Sequence, residues 1–463
     1  MSYNAQNGAK KAKNVLFELF SEQKGEGDEY RKFNLFTFLR LADSHFGLWY
    51  AEYVLRLDSL WQNQPLGGRA YVANSRIGRG ENAQKSAGFA VKKHFSVQAE
   101  GAAGKQKLKS IGSCGQKHRL TIVVPVYNVA PYIHACMDSI RKQTCQNFDL
   151  IVVDDGSTDE SGTFCEKTMR QLHSASFFSR PHEGISAARN FAITQVKTEY
   201  VLFVDGDDYL ETDTVERLMR LIETCKPDLA VYGFFYEAGK ETRYPVSWPD
   251  TFYQSREEME PHFPEIWNAG LMYSVCNKLF WVDIIRRFGL FFEERNFGED
   301  FAFCREYLRH CTNMALLERC LYHYICQRPD SLSTAYRPDL FEIRAKEHRE
   351  LLRYFQDIAC DRVQAKEYLF RRHIERVVGC IENECSPENR KSFAEKWRTI
   401  RQILYESDTV LCAGRARLHS WKMKIAVWVI RRKWVGASFF MGCVMSVCRR
   451  RFPGLFVRLK MHR

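Results

Sequence analysis

The chain has 463 residues, 45% of them hydrophobic, enough for a large core divided among two or three domains. Its formal charge of +12 is confined to one end: no acidic residue follows Asp408, while 13 lysines and arginines lie between Arg415 and Arg463, so the first 408 residues are close to neutral. That distribution excludes a generally basic chain that coats nucleic acid, and the sixteen cysteines, with no C-x-x-C pair, read as reduced thiols of a cytosolic protein rather than as a disulfide framework.

The N-terminal MSYNAQNGAKKAKN is polar and the VLFELF after it is too short for a signal peptide. Residues 1–62 carry apolar residues at helical spacing, clearest in FNLFTFLRLADSHFGLWYAEYVLRLDSLW, and predict a helical N-terminal extension. Residues 63–118, rich in Gly, Ala, Ser, Gln and Lys, read as a flexible linker. From LTIVVPVYN (120–128) onward, short all-apolar strands alternate with helical patterns. The helices PYIHACMDSIRKQ, SGTFCEKTMRQL, SAARNFAITQV and TVERLMRLIET separate the strands LTIVV, FDLIVV, YVLFV and DLAVYGF. This alternation predicts an α/β domain over 119–340, its mostly parallel sheet covered by helices on both faces. Residues 341–408 read as a helical C-terminal region and 409–463 as a basic amphipathic tail.

Ligands of open α/β sheets bind beyond the carboxyl ends of the strands. Three of those ends are chemically unusual here: PVYN (125–128), DDGSTD (154–159) and DGDD (205–208). Tyr127 is suited to stack on a flat base, with Asp154 or Asp155 accepting from a base N–H. Asp205 is placed for a sugar hydroxyl. Asp207 points the same way as Asp205 in an extended segment and suits a hard divalent cation such as Mg²⁺ or Mn²⁺, which prefers carboxylate and phosphate oxygens. The cation would offset the mutual repulsion of three carboxylates within four residues. No GxGxxG follows the first strand and no GxxxxGK[ST] occurs, so dinucleotide and P-loop readings lose their main support.

VVPVYN, VVDDGSTD, GISAARN and FVDGDD, in this order and spacing, resemble the family 2 glycosyltransferases, inverting enzymes of the GT-A fold that use nucleotide-sugar donors. The resemblance covers roughly residues 119–335. It implies that Pro125, Tyr127 and Asp155, with Asn128 and Asp154 beside them, line the nucleobase site. It further implies that Arg189 contacts the nucleotide, that Asp205 binds ribose and shares the metal with Asp207, and that Asp208 completes the donor site. SVCNKLF (274–280) and NFGEDFAF (296–303) resemble the acceptor-side motifs, which makes Asp300 the catalytic base and Glu299 its neighbour. In YHYICQRPDSLS (322–333), Arg328 is the candidate diphosphate contact. His323 is read as a core histidine before a metal or base ligand, and Lys278 as either a phosphate or acceptor contact or a surface lysine.

The tail carries Trp421, Trp428 and Trp434 among lysines and arginines, and its apolar run from Val435 to Cys448 is 14 residues, shorter than the roughly 20 of a spanning helix. It predicts peripheral contact with the inner face of the cell membrane. The expected protein is therefore a metal-dependent, inverting glycosyltransferase acting on a glycan or lipid-linked acceptor, with no nucleic acid partner. A nucleotidyltransferase would want a Gly-rich basic loop where PVYNVAPY stands. A scaffold that merely kept the fold would be expected to lose the metal Asp or the base.

Overall fold

The computed structural model describes residues 118–451, apart from 171, 173, 239–241, 296, 327–334, 359–362 and 419. The helical extension expected over 1–62, nearly all of the linker over 63–118, the contact expected of Arg328 and the end of the tail lie outside the described residues.

The α/β domain opens with β1 (Leu120–Val126), α1 (Ala130–Arg141), β2 (Asp149–Asp154), α2 (Ser161–Met169), β3 (Ala175–Ser179), α3 (Ile185–Gln195) and β4 (Tyr200–Phe203). It continues with β5 (Tyr209–Leu210), α4 (Thr214–Cys225), β6 (Leu229–Ala238), β7 (Thr242–Val246) and β8 (Thr251–Tyr253). It closes with α5 (Arg256–Met259), α6 (Phe263–Asn268), β9 (Lys278–Trp281), α7 (Val282–Arg287), α8 (Glu299–Leu308) and β10 (Met314–Ile325). Among the described residues the strands form one sheet in the order β3-β2-β1-β4-β9-β6-β10-β5, with β7 on β6 and β8 on β10.

The parallel character read from the sequence holds for β3, β2, β1 and β4 and again for β6 with β10. The short β9 enters between β4 and β6 in the opposite direction, and β5, β7 and β8 also pair antiparallel with their neighbours. β3 escaped the sequence reading. Its ASFFS is an edge strand with no fully buried residue, so it lacks the apolar run that marks its neighbours. All seven residues of β1 are buried, and each large apolar side chain so placed contributes roughly 1.5–3 kcal/mol. In α4, the buried Val215, Leu218, Met219 and Ile222 fall at i, i+3, i+4 and i+7 and make one face against the core.

The chain runs from β1 to β2 and β3 on one side, then crosses back to β4 on the other. The crevice at the ends of β1 and β4 is thus a topological switch point, where a ligand site is expected. Pro125, buried in a central strand, is tolerated there. Val123 accepts from the Val204 amide, and β4 ends opposite Val123, so the donor that Pro125 lacks has no ladder partner to miss.

The C-terminal region comprises α9 (Leu340–Asp357), α10 (Val363–Glu384), α11 (Phe393–Tyr405), α12 (Ser407–Arg415), α13 (Trp421–Arg431) and α14 (Val435–Arg451). α11 starts in a capping box, with Ser392 and Glu395 exchanging hydrogen bonds with each other's backbone amides. α10 joins two cores. Its Ala365, Tyr368 and Leu369 belong to the core of the α/β domain. Its Ile374, Val377 and Ile381 pack with Ile400, Ile403, Val427 and Ile430 in a second one. The tail is therefore not a separate segment from residue 409: the boundary at 408 falls inside α12, and α13 and α14 help close the second core.

Candidate active site

At the end of β1, Asn128 adopts a left-handed conformation (φ +50°), which Asn tolerates better than most residues. Its side-chain oxygen accepts from the Thr158 amide at 2.8 Å, and its own amide donates to Ser157 Oγ at 3.1 Å. Asn128 thus laces the β1 loop to the β2 loop. Tyr127 beside it is 42% exposed, and its ring stacks on His182 with centroids 3.9 Å apart and planes 12° from parallel. His182 Nδ1 lies 2.8 Å from Asp155 Oδ2. The buried Asp155 also accepts from the amides of Glu183 and Gly184, both at 2.9 Å. It thereby holds the turn that starts α3, where Gly184 has φ +95°. Asp154 faces inward: it accepts from the Ser157 amide at 3.2 Å, and a Cβ on Gly162 would stand only 2.7 Å from its Oδ2. The two adjacent carboxylates therefore brace loops, and the exposed surface they support is the Tyr127–His182 stack. His182 was missed in the sequence because nothing in RPHEG marks the His as facing a ring 55 residues earlier.

Past β4, Asp205, Asp207 and Asp208 bring one carboxylate oxygen each within 4.8 Å of one another. Asp208 is buried, and both its oxygens are held: Tyr322 donates to Oδ2 at 2.6 Å and the Ile325 amide to Oδ1 at 2.8 Å. Burial, reinforced by Asp207 and Asp205, pushes its carboxyl well above the usual range. Asp208 therefore ties the acidic turn to β10. Asp205 and Asp207, both partly exposed, are the pair that fits a hard divalent cation, an all-oxygen donor set.

The repulsion in this turn is answered within the protein by Arg189. Its guanidinium is 1% exposed, donates from Nη2 to Asp205 Oδ1 at 2.7 Å, and donates from Nη1 to Asp300 Oδ1 at 2.6 Å and Glu299 Oε1 at 3.3 Å. It also lies 5.2 Å from the centre of the Phe292 ring. Burial opposes its charge, but Asp300 and Asp205 hold the guanidinium protonated. A direct nucleotide contact is thus not what Arg189 is built for here: with no exposed surface, it spans the carboxylates of the two halves of the site.

Asp300 and Glu299 open α8 after Gly298, whose φ of +84° calls for glycine. A Cβ there would also run into the carboxylate of Glu347. Asp300 Oδ2 accepts from the Val275 amide at 3.2 Å. Burial raises the Asp300 carboxyl above its ordinary value despite Arg189. Burial, together with Asp300, pushes Glu299 up to about 7. Lys278 is fully buried, with Nζ donating to the carbonyls of Leu271 (2.6 Å) and Ser274 and to Asn277 Oδ1 (2.8 Å). It pins the loop that presents the Val275 amide and is not a surface or phosphate-facing lysine. His323 is likewise enclosed, with Nδ1 2.8 Å from Glu237 and Nε2 3.0 Å from Glu211, its ring on Tyr209. Neither nitrogen is turned to the acidic triad.

Residues 121–289 match the model of glycosyl transferase family 2. The chain is 28% identical over 293 residues to the uncharacterized glycosyltransferase EpsJ of Bacillus subtilis (strain 168), 62% of this chain and 83% of that protein. With the glycosyltransferase GlyA of Streptococcus pneumoniae it shares 41% identity over 117 residues, a quarter of this chain and 17% of GlyA. With the poly(ribitol-phosphate) β-N-acetylglucosaminyltransferase TarS of Staphylococcus aureus it shares 26% over 233 residues, 39% of TarS. The crystal structure of S. aureus TarS 1–349 in complex with UDP-GlcNAc superposes with a TM-score of 0.50 at 20% identity, covering 72% of this chain and 92% of that one. The acidic turn at a switch point, the strand-end motifs and this shared fold agree: residues 121–289 carry a glycosyl transferase family 2 domain, within an α/β body of the GT-A fold.

Proposed function

We propose that the chain is an inverting, metal-dependent enzyme that moves one sugar from a UDP-linked donor to a hydroxyl of a glycan or lipid-linked acceptor in surface polysaccharide synthesis, working peripherally at the inner face of the cell membrane. The observation that carries this reading is the pair of charge-assisted hydrogen bonds from Arg189, one to Asp205 and one to Asp300. One buried cation ties the metal-capable turn to the candidate base, so donor and acceptor chemistry share a single rigid unit.

In this reading the nucleobase lies against Tyr127, backed by the His182 ring and Asp155. Asp205 and Asp207 would hold Mg²⁺ or Mn²⁺, which would supply positive charge against the diphosphate leaving group. Asp300 accepts the proton of the acceptor hydroxyl as that oxygen forms the new glycosidic bond, opposite the departing diphosphate, which inverts the anomeric centre. Glu299 flanks the base. The choice of UDP follows the ligand named for the TarS complex.

The test is calorimetric titration of UDP and GDP, with and without Mn²⁺, into the wild type and Asp207→Asn. Binding of UDP that needs both Mn²⁺ and Asp207 is the expected result. Binding of neither nucleotide under any condition would remove the donor site and the transferase reading with it.

A further inference from the structure

The second core leaves an unusual outer surface. α13 buries Met423, Ala426, Val427 and Ile430, and its opposite stripe carries Trp421, Lys424, Trp428 and Arg431, all exposed. The stripe does not end with the helix. Trp428 meets Trp434 edge-to-face at 4.8 Å, and the two indoles are 42% and 46% exposed. Between them Lys433 takes up a left-handed conformation (φ +53°), strained for a lysine, and sets its ammonium 4.3 Å from the ring centre of Tyr405 on α11. Arg401 approaches the same ring at 5.6 Å, and Arg432 lies 6.0 Å from Trp428. Two helices distant in sequence thus contribute to one continuous face of large aromatic rings with cations laid among them.

The acidic groups of α11 and α12 do not neutralise it. Glu395 is used in the capping box of α11, Glu406 caps α12 through the Thr409 amide, and Asp408 pairs with Arg349. Rings of this size left in water alongside unneutralised cations suit one environment in particular. Indole and phenol rings favour the boundary between headgroups and acyl chains, and lysine and arginine are drawn to an anionic leaflet. Tryptophan, tyrosine and arginine also suit protein interfaces; what favours a bilayer is the one-signed charge, since no acidic residue follows Asp408 to balance these cations.

We propose that this face, built from α11, α13 and the turn into α14, is the docking surface for an anionic lipid bilayer. It lies in the interface and does not cross it: among the described residues no helix is long and apolar enough to span a membrane. The proposal deepens the peripheral location offered above, by naming the surface that makes the contact, and it is independent of the transferase chemistry.

Cosedimentation of the full chain with phosphatidylglycerol/phosphatidylethanolamine vesicles, and with phosphatidylcholine vesicles, tests it. The wild type is expected to bind the anionic vesicles, less so at high salt, with a blue shift of tryptophan emission. The double variant Arg401→Gln/Arg432→Gln should partition on the order of 30-fold more weakly, from two lost surface cations. Trp428→Ala/Trp434→Ala should weaken binding as well. Arg170→Gln, an exposed position just after α2, should bind as the wild type does. Failure to bind anionic vesicles at low salt overturns the proposal, as does binding unchanged in both double variants. Vesicle binding needs neither donor nor metal, so its loss leaves the transferase reading standing, and absent nucleotide binding leaves this one.

Discussion

Asp300 has both oxygens occupied, by Arg189 and by the Val275 amide, and so is held in one orientation before any acceptor arrives. Pre-orientation of this kind is what a general base needs, since proton transfer requires hydrogen-bond reach to the hydroxyl. Asp300→Asn keeps the size and one of the two acceptor contacts, turns its NH2 toward the other donor, and cannot take a proton. We expect turnover to fall about 10²- to 10⁴-fold while UDP binding is unchanged, measured by initial rates and calorimetry on one preparation. Arg189 presents the opposite case, a residue that acts through others. Its forked guanidinium reaches Asp205 with one nitrogen and Asp300 with the other, a span a single ammonium cannot reproduce. Arg189→Lys should retain the fold yet lower kcat at least about tenfold, with Mn²⁺ affinity altered as well, because Asp205 and Asp300 lose their common anchor. A variant with normal kcat would reduce Arg189 to a packing residue.

At the scale of elements, the start of α8 is backed by α9 and α10. Glu347 of α9, buried against Gly298, is paired with Arg344 at 2.8 Å and with Arg376 of α10 at 3.0 Å. These helices also enclose two histidines, His348 and His373, with ring centroids 4.3 Å apart and within reach of Cys412 and Thr409 on α12. Burial depresses His348 to about 4 and His373 to about 3, the latter with a further contribution from His348. Both folded values lie below the ordinary 6.5, so the unfolded chain binds protons that the folded chain refuses. The stability from keeping them neutral is complete above pH 6.5 and is lost as pH falls through 6.5 toward 4 and then 3. Each histidine should cost on the order of 2 kcal/mol by pH 4.5. Melting curves from pH 7 to 4.5 should therefore fall more steeply for the wild type than for His373→Gln, whose amide cannot become cationic. Parallel curves would mean that the pair is not the acid-sensitive element.

For the whole molecule, α10 makes the helical region part of the catalytic body. Its first half packs into the core under the sheet and its second half into the core closed by α13 and α14. A chain ending after residue 417 would strip Met423, Ala426, Val427, Ile430 and Met441 from that second core. At roughly 1.5–3 kcal/mol for each large side chain, the loss is of the order of 10 kcal/mol, comparable with the full stability of a domain. The shortened chain is expected to aggregate or to lose cooperative melting, read by size-exclusion chromatography and calorimetry. A soluble monomer with an unchanged melting temperature would show the last two helices to be a detachable tail.

The α/β domain and its strand-end chemistry were legible in the chain because both are local. A buried strand must be an apolar run, a ligand crevice must follow it, and VVDDGSTD, FVDGDD and FGED each place their acids within a few residues of a strand or helix end. The composition likewise set where the positive charge lies. What each acid does was decided by contacts distant in sequence. Asp208 is withdrawn by Tyr322, 114 residues away, and Arg189 reaches Asp300 across 111 residues. His182 becomes part of a ring stack only through the approach of the β1 and β3 ends. In the tail, the sequence showed tryptophans beside arginines, but only packing decided that Met423, Val427 and Ile430 turn inward and that Tyr405 joins Trp428 and Trp434 on the outside. A linear pattern records which residues are available to a site. Which of them are buried, paired or left facing the solvent depends on free energies shared between segments that meet only in the folded chain.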